Sequence, residues 1–272
     1  MDDIHPIAPE KRAAILATLA DIERKHEVRV LLACESGSRG WGFSSPDSDY
    51  DARFIYVHRQ PWYLSVNECA GPGQAQRDVI ELPIDDELDV SGWDLRKALR
   101  LVSKSNPTLI EWLRSPIIYQ QDAAAVALLW QAAERFYSPL GSWWHCMSMA
   151  RTTYSRHLGR DAISTKKYLY VLRALLACQW IENEPSPPPM AFENLLDRLL
   201  PEGTVREAVD ALLVVKRASA EVTAAPRIAA ISDYIDQEMA SRADGPQLPA
   251  GHGDSAWLDA LFRQMLAEHA PG

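Results

Sequence analysis

The run Glu35-Ser36-Gly37-Ser38-Arg39-Gly40-Trp41-Gly42-Phe43, continued by Ser44-Ser45-Pro46-Asp47-Ser48-Asp49-Tyr50-Asp51, decides how this chain is read. Two apolar segments bracket it. Val28 to Cys34 is a short β-branched and aliphatic run, long enough for a buried strand, and Tyr50 to Val57 is a second strand ended by Pro61. Between them, Ser36 to Ser48 is rich in Gly, Ser and Pro and reads as a loop.

Asp49 and Asp51 carry the chemistry. Side chains alternate across a strand, so residues two apart project to the same face. Two carboxylates placed there repel one another unless a cation sits between them. Mg²⁺ prefers hard oxygen ligands of this kind, one or two carboxylates completed by water and phosphate oxygens. An acidic pair standing alone reads as solvated turn residues; its place at the head of an apolar strand weighs against that. Gly37-Ser38, just after the first strand, is the second element. A glycine-bearing turn from strand to helix offers backbone N–H groups and a hydroxyl to an anion. Gly37, Gly40 and Gly42 permit close approach, Ser38 can donate to a terminal phosphate, and Arg39 either adds a charge-assisted bond or clamps the loop onto a nearby acid. The loop fits neither the Walker pattern nor a dinucleotide fingerprint.

Outward from this stretch, the first part of the chain alternates helix and strand. Glu10 to about His26 has helical apolar spacing at Ile15, Leu19 and Ile22. Asp78 to Ile84 and Glu87 to Val90 read as two short strands joined at Asp85-Asp86. Ser91 and Asp94 resemble a capping box opening a helix to about Ser103, and Asn106-Pro107 starts another through Arg114. Beyond that the pattern is almost wholly helical: about Asp122 to Tyr137, Gly141 to Leu158, Ser164 to Asn183, Phe192 to Leu200, Val205 to Ala220, Ile228 to Arg242 and Asp254 to His269. A proline-rich connector, Glu184 to Pro189, interrupts it. The expected architecture is α+β: a small mixed-sheet module over residues 1–120 followed by an all-helical module over 121–272.

Composition narrows the setting. The 272 residues are 47% hydrophobic and 24% charged, with a formal charge of −9. That charge argues against a large electropositive surface of the kind that coats duplex DNA. A local exception lies between Arg151 and Arg173, where Arg151, Arg156, Arg160, Lys166, Lys167 and Arg173 face only one acid, Asp161. No apolar run approaches the ~20 residues needed to cross a bilayer, and the N-terminus lacks the pattern of a secretory signal, so a cytoplasmic protein without a membrane partner is expected. Cys34, Cys69, Cys146 and Cys178 are scattered and read as reduced thiols. The seven histidines show no metal-ligand spacing. Trp130, Trp143, Trp144, Trp180 and Trp257 lie on helical patterns and read as packing residues; Trp41, inside the glycine loop, either supports the loop or touches the base, support being the first reading.

Taken together, Gly-Ser at the end of one strand and Asp-x-Asp opening the next resemble the signature of the DNA polymerase beta-like nucleotidyltransferase superfamily. The wider run, with Trp112-Leu113-Arg114-Ser115-Pro116-Ile117-Ile118-Tyr119 further on, is similar to the predicted nucleotidyltransferases called YcgL or RlaP-like, associated with RNA repair. The match covers the chain roughly to Leu200 and is strongest before Tyr119. The resemblance implies an enzyme that moves a nucleoside monophosphate from an NTP, ATP being the expected one, to an acceptor hydroxyl such as an RNA end, with Mg²⁺ or Mn²⁺. A small-molecule or protein acceptor, and a silent nucleotide-binding module, are the alternatives. It also implies a third carboxylate on a neighbouring strand that positions or activates the hydroxyl. Asp89, flanked by apolar residues, is the first choice, with Glu81 its competitor. In this superfamily a helical module often closes on the triphosphate with Lys or Tyr. Lys166, Lys167 and Tyr168 would suit that task, although a solvated helix face explains any one of the lysines as well.

Overall fold

Ile15, Leu19 and Ile22, three and four residues apart, form the buried stripe of helix α1 (Pro9–His26). In the computed structural model, residues 7–65, 69–71, 74–75, 78–82, 87–158, 162–218, 224–251 and 253–272 are described. The expected turn at Asp85-Asp86, the charges of Arg160 and Asp161 and the side chain of Cys69 lie outside them. The chain forms two compact units, and their boundary differs from the expected one near residue 120. One unit is built on the sheet and includes Asp49–Phe136 and the C-terminal helix. The other is helical and combines Tyr137–Gly251 with the loop Ser38–Ser48.

The sheet unit has strands β1 (Val28–Glu35), β2 (Tyr50–His58), β5 (Val79–Glu81), β6 (Leu88–Asp94) and β7 (Ile118–Gln121) in the order β5-β6-β2-β1-β7. The pair β3 (Cys69–Gly71) and β4 (Gln74–Ala75) stands apart. All pairings in the five-stranded sheet are antiparallel except β2 with β6. Seven of the eight residues of β1 are buried, because both faces of the sheet are covered. On one face Val28, Val30, Ala33, Phe54 and Tyr56 pack under α1. On the other, Leu31, Leu32, Cys34, Ile55 and Val57 meet α4 (Leu95–Val102), α5 (Thr108–Leu113), α6 (Ala123–Phe136) and α12 (Ser255–His269). A register shift between Val30 and Leu32 makes Leu31 the extra residue, so the parity of β1 changes there. The packing of α6 and α12 on this face is the reason the unit extends past residue 120.

Two local expectations differ in the structure. Ser91 lies inside β6, opposite Arg53, and Asp94 alone caps α4 by accepting the Arg96 N–H at 2.8 Å. The strand β7 carried too few residues to display an alternating pattern. A five-residue helix, α2 (Gly37–Trp41), opens the stretch expected to be loop, and a four-residue helix, α3 (Gln60–Tyr63), follows β2.

In the helical unit, α7 (Pro139–His157), α8 (Thr165–Asn183), α9 (Phe192–Leu199), α10 (Thr204–Ala218) and α11 (Ala229–Ser241) surround one core, with a short pair β8 (Ala162–Ser164) and β9 (Ala224–Pro226). Helix α8 is central, burying an unbroken run from Val171 to Cys178. Phe43, from the glycine loop, is 1% exposed in the same core, its ring 5.5 Å from Phe192. No helix among the described residues is long and apolar enough to cross a membrane.

At the end of β2, His58 stacks on Trp62 with ring centroids 3.9 Å apart. Burial, reinforced by His26 and Arg96, lowers its pKa to about 4. The folded state therefore prefers the neutral ring. Its contribution is complete above the unfolded value of ~6.5 and is lost as pH falls toward the folded one. Asp122 acts in a lower window. Burial pushes its carboxyl up, but Ala125 N–H, His269 and Arg29 outweigh that and hold it below the usual range, so its contribution persists until stronger acid. Thermal melts between pH 7.5 and 4.5 should show the wild type losing several degrees more than His58→Phe; parallel curves would contradict this account.

Candidate functional site

The site has to be built from each unit separately. In the sheet unit, β2 and β6 run parallel with Asp51 paired to Asp89 and Arg53 to Ser91. Asp51 and Asp89 therefore lie side by side, their side chains about one-quarter exposed. Arg53, two residues after Asp51 and so on the same face, bridges them. Its Nη2 lies 3.0 Å from Asp51 Oδ1 and 2.6 Å from Asp89 Oδ2. Its Nη1 donates to the Asp89 carbonyl at 2.9 Å.

Behind the carboxylates stands Glu35, fully buried at the end of β1. Its Oε1 accepts the Asp51 N–H at 2.9 Å and its Oε2 accepts from the Tyr119 hydroxyl. Its backbone carbonyl accepts from Ser115 Oγ at 2.6 Å. The Ser36 N–H in turn donates to the Asp51 carbonyl at 2.9 Å. Asp51 is thus held on both sides of its backbone, which fixes where its carboxylate emerges. Gly37 then presses against it. A Cβ on Gly37 would meet Asp51 Oδ2 at 1.9 Å, and the residue's φ is +58°. Only glycine fits both the conformation and the space.

The helical unit carries the glycine loop. Arg39 is buried and donates through Nη2 to the Ser48 carbonyl at 2.7 Å, so of its two expected roles it performs the clamp, on a backbone oxygen. Ser45 and Ser48 close the loop on itself with a 2.9 Å hydroxyl contact. The buried Lys216 of α10 reaches them, its Nζ 2.7 Å from Ser45 Oγ and 3.4 Å from Ser48 Oγ. Arg217 adds a bond to the Gly42 carbonyl at 3.1 Å. Trp41 packs edge-on against Tyr170 at 5.1 Å and beneath Arg173, whose guanidinium lies 4.4 Å from the ring centre. That is the supporting role expected of it.

The sequence-predicted residues do not all come together. Asp51 and Asp89 do. Glu81 sits on β5, exposed and opposite Ser91, one strand further out. Asp49 precedes β2 and is half-buried, but among the described residues no three His, Cys, Asp or Glu side chains are grouped to hold a metal. Lys166 and Lys167 open α8 and are half-buried, with Lys167 Nζ 5.5 Å from the Tyr170 ring centre. Tyr168 requires a correction. It shares the buried face of α8 with Leu172 and Leu175, is 0% exposed, and its hydroxyl is spent on Ser232 Oγ at 2.7 Å and on the Ile228 N–H. Glu35, Arg53 and Lys216 were assigned no role from sequence. For Arg53 the signal was present, since the two-residue alternation that pairs the aspartates continues to it. Lys216 is separated from its serines by too much chain to leave one.

Gly37→Ala should cost about 2 kcal/mol or more, combining left-handed backbone with the collision at Asp51. Gly42→Ala, also at positive φ (+84°) but with nothing within 4 Å of its Cβ, should cost about 1 kcal/mol or less. Denaturant midpoints for the two variants test the close approach directly. Equal losses would mean that Asp51 simply moves aside.

Comparison with known proteins follows this geometry. Residues 12–264 match the RlaP family, described as the RNA repair pathway DNA polymerase beta family. The uncharacterized protein YcgL of Bacillus subtilis (strain 168) is 43% identical over 225 residues, covering 83% of this chain and 84% of that protein. A crystal structure of a nucleotidyltransferase-like protein from Exiguobacterium sibiricum 255-15 aligns with a TM-score of 0.30 at 11% identity, over 84% of this chain and 75% of that one, too distant to carry an argument. On the family match, which spans nearly the whole chain, and on the YcgL identity, this protein belongs to the RNA repair pathway DNA polymerase beta family.

Proposed function

We propose that this protein is a divalent-metal-dependent nucleotidyltransferase that transfers a nucleoside monophosphate from an NTP, ATP first among them, to a hydroxyl at an RNA end. The observation that carries the reading is the β2–β6 register, which sets Asp51 level with Asp89 and leaves the pair sharing one cationic group. The RNA acceptor is supported by the family description alone.

The residues fit a hard divalent cation. Two carboxylates on adjacent strands are tolerated because a positive charge lies between them, and the Arg53 guanidinium is a stand-in for such a charge. Asp51 and Asp89 would hold Mg²⁺ or Mn²⁺, with Asp49, which is not grouped with them in the unloaded chain, as the expected further ligand. When bound, the ion supplies charge neutralisation at the α-phosphate and at the departing pyrophosphate. The chain's own groups do the remainder. Asp89 accepts the proton of the acceptor hydroxyl. That oxygen bonds to the α-phosphorus, the bond from the α-phosphorus to the bridging oxygen breaks, and pyrophosphate leaves with the electron pair. Ser38, next in sequence to the Gly37 that packs on Asp51, donates to the triphosphate, and Lys166 and Lys167 contribute charge to it. Arg39 holds the loop and makes no phosphate contact in this scheme. Tyr168 is excluded from it by its burial.

The test is label transfer from α-labelled NTPs to RNA with Mg²⁺ or Mn²⁺. Asp51→Asn and Asp89→Asn should each lower turnover by about 10²-fold or more, and Glu81→Gln by less than about threefold. Transfer that survives Asp51→Asn would overturn the reading. Transfer to an aminoglycoside or a protein in place of RNA would keep the chemistry and replace the acceptor.

A further inference from the structure

Arg53 bridges Asp51 and Asp89, two of the candidate metal carboxylates, and its manner of binding suggests a working role. The Nη2 nitrogen alone serves the two aspartates, 3.0 Å from one and 2.6 Å from the other. A cation shared by Asp51 and Asp89 would compete with that nitrogen for the same two carboxylates. The guanidinium has a second, independent hold: its Nη1 donates to the backbone carbonyls of Asp89 at 2.9 Å and Ala52 at 3.2 Å. The side chain is 19% exposed and the aspartates 26% and 25%, so none of the three is locked in the core.

Resting on the nucleotidyltransferase reading above, we propose that Arg53 is a built-in exchangeable counterion: it neutralises the Asp51–Asp89 pair in the unloaded protein, yields at least one carboxylate to the incoming divalent cation, and turns its released donor to a phosphate oxygen of the nucleotide. Two carboxylates in register on adjacent strands repel, so the unloaded site is stable only with a positive charge between them. A divalent ion carries twice that charge and needs the same oxygens, so the two cations compete and the apparent affinity for the ion is reduced by the energy of the contacts broken. Guanidinium carries five N–H donors in a fixed fork. Release of Nη2 while Nη1 stays on the Asp89 carbonyl frees a charged donor beside the ion, where a metal-bound triphosphate brings its oxygens. Ion binding and the creation of a phosphate contact become one event.

The test reads stability and ion binding apart from turnover. In chelator, Arg53→Gln should melt several degrees below wild type, because the carboxylate pair loses the cation it shares. Adding Asp89→Asn to it should recover most of that loss. Arg53→Lys, which keeps the charge without the fork, should fall between wild type and Arg53→Gln, separating charge from packing. In calorimetric titration with Mn²⁺ alone, Arg53→Gln should bind about tenfold more tightly than wild type, the equivalent of about 1.4 kcal/mol. If Arg53→Gln binds Mn²⁺ as weakly as a wild type that does bind it, or if Asp89→Asn rescues nothing, the exchange is overturned and the metal reading stands. If no Mn²⁺ binds to any form, both the exchange and the metal reading fall.

Discussion

Parallel pairing between β2 and β6 is the constraint on which the rest of the site depends. The two strands are distant in sequence, and nothing local obliges Asp89 to stop level with Asp51. What fixes the register is apolar. Tyr50, Ala52, Phe54 and Tyr56 of β2 share one face with Leu88 and Val90 of β6, under α1. A slip of β6 by one residue would turn Leu88 and Val90 away from that face and carry Asp89 under α1 in their place. The carboxylates lie together because the hydrophobic residues between them leave one acceptable alignment.

Glu35 completes the frame from the opposite direction. It joins three separate elements, through the Asp51 N–H, the Tyr119 hydroxyl and the Ser115 hydroxyl on its own carbonyl. A buried carboxylate costs free energy unless its oxygens are satisfied, and here they are satisfied by the residues whose positions matter. Loss of one partner would leave a buried charge short of a bond, so β1, β2 and β7 are tied at the point where the site begins.

Much of this was legible in the sequence, and the unread part has a common character. The helices from α6 onward were readable within one or two residues because their apolar period is long. The acid opening β2 at Asp51 and the glycine turn after β1 were visible because strand alternation and a glycine turn are local. Asp89 required a resemblance to an established family to single it out from Glu81, and the structure places it at the register position of Asp51. Features that depend on distant chain left little trace. Neither the reach of Lys216 to Ser45 nor the burial of the Tyr168 hydroxyl against Ser232 has a signal in the spacing of nearby residues. The place of α6 and α12 in the sheet unit is hidden for the same reason: they look like any other amphipathic helix until their apolar stripes are seen to meet Leu99 and Val102.

Phe43 has a consequence for synthesis. The chain leaves the ribosome N-terminus first, and residues 38–48 emerge long before the helices that enclose them. Until α8 and α9 are made, Phe43 has no core to enter, and until residue 216 appears Ser45 and Ser48 lack their ammonium partner. The sheet can pair early, but the loop that joins its first two strands matures only when three-quarters of the chain exists. A translational pause or a truncation between α6 and α10 would therefore yield a formed sheet with an unformed glycine loop, a species rich in secondary structure in which Phe43 has no core to enter.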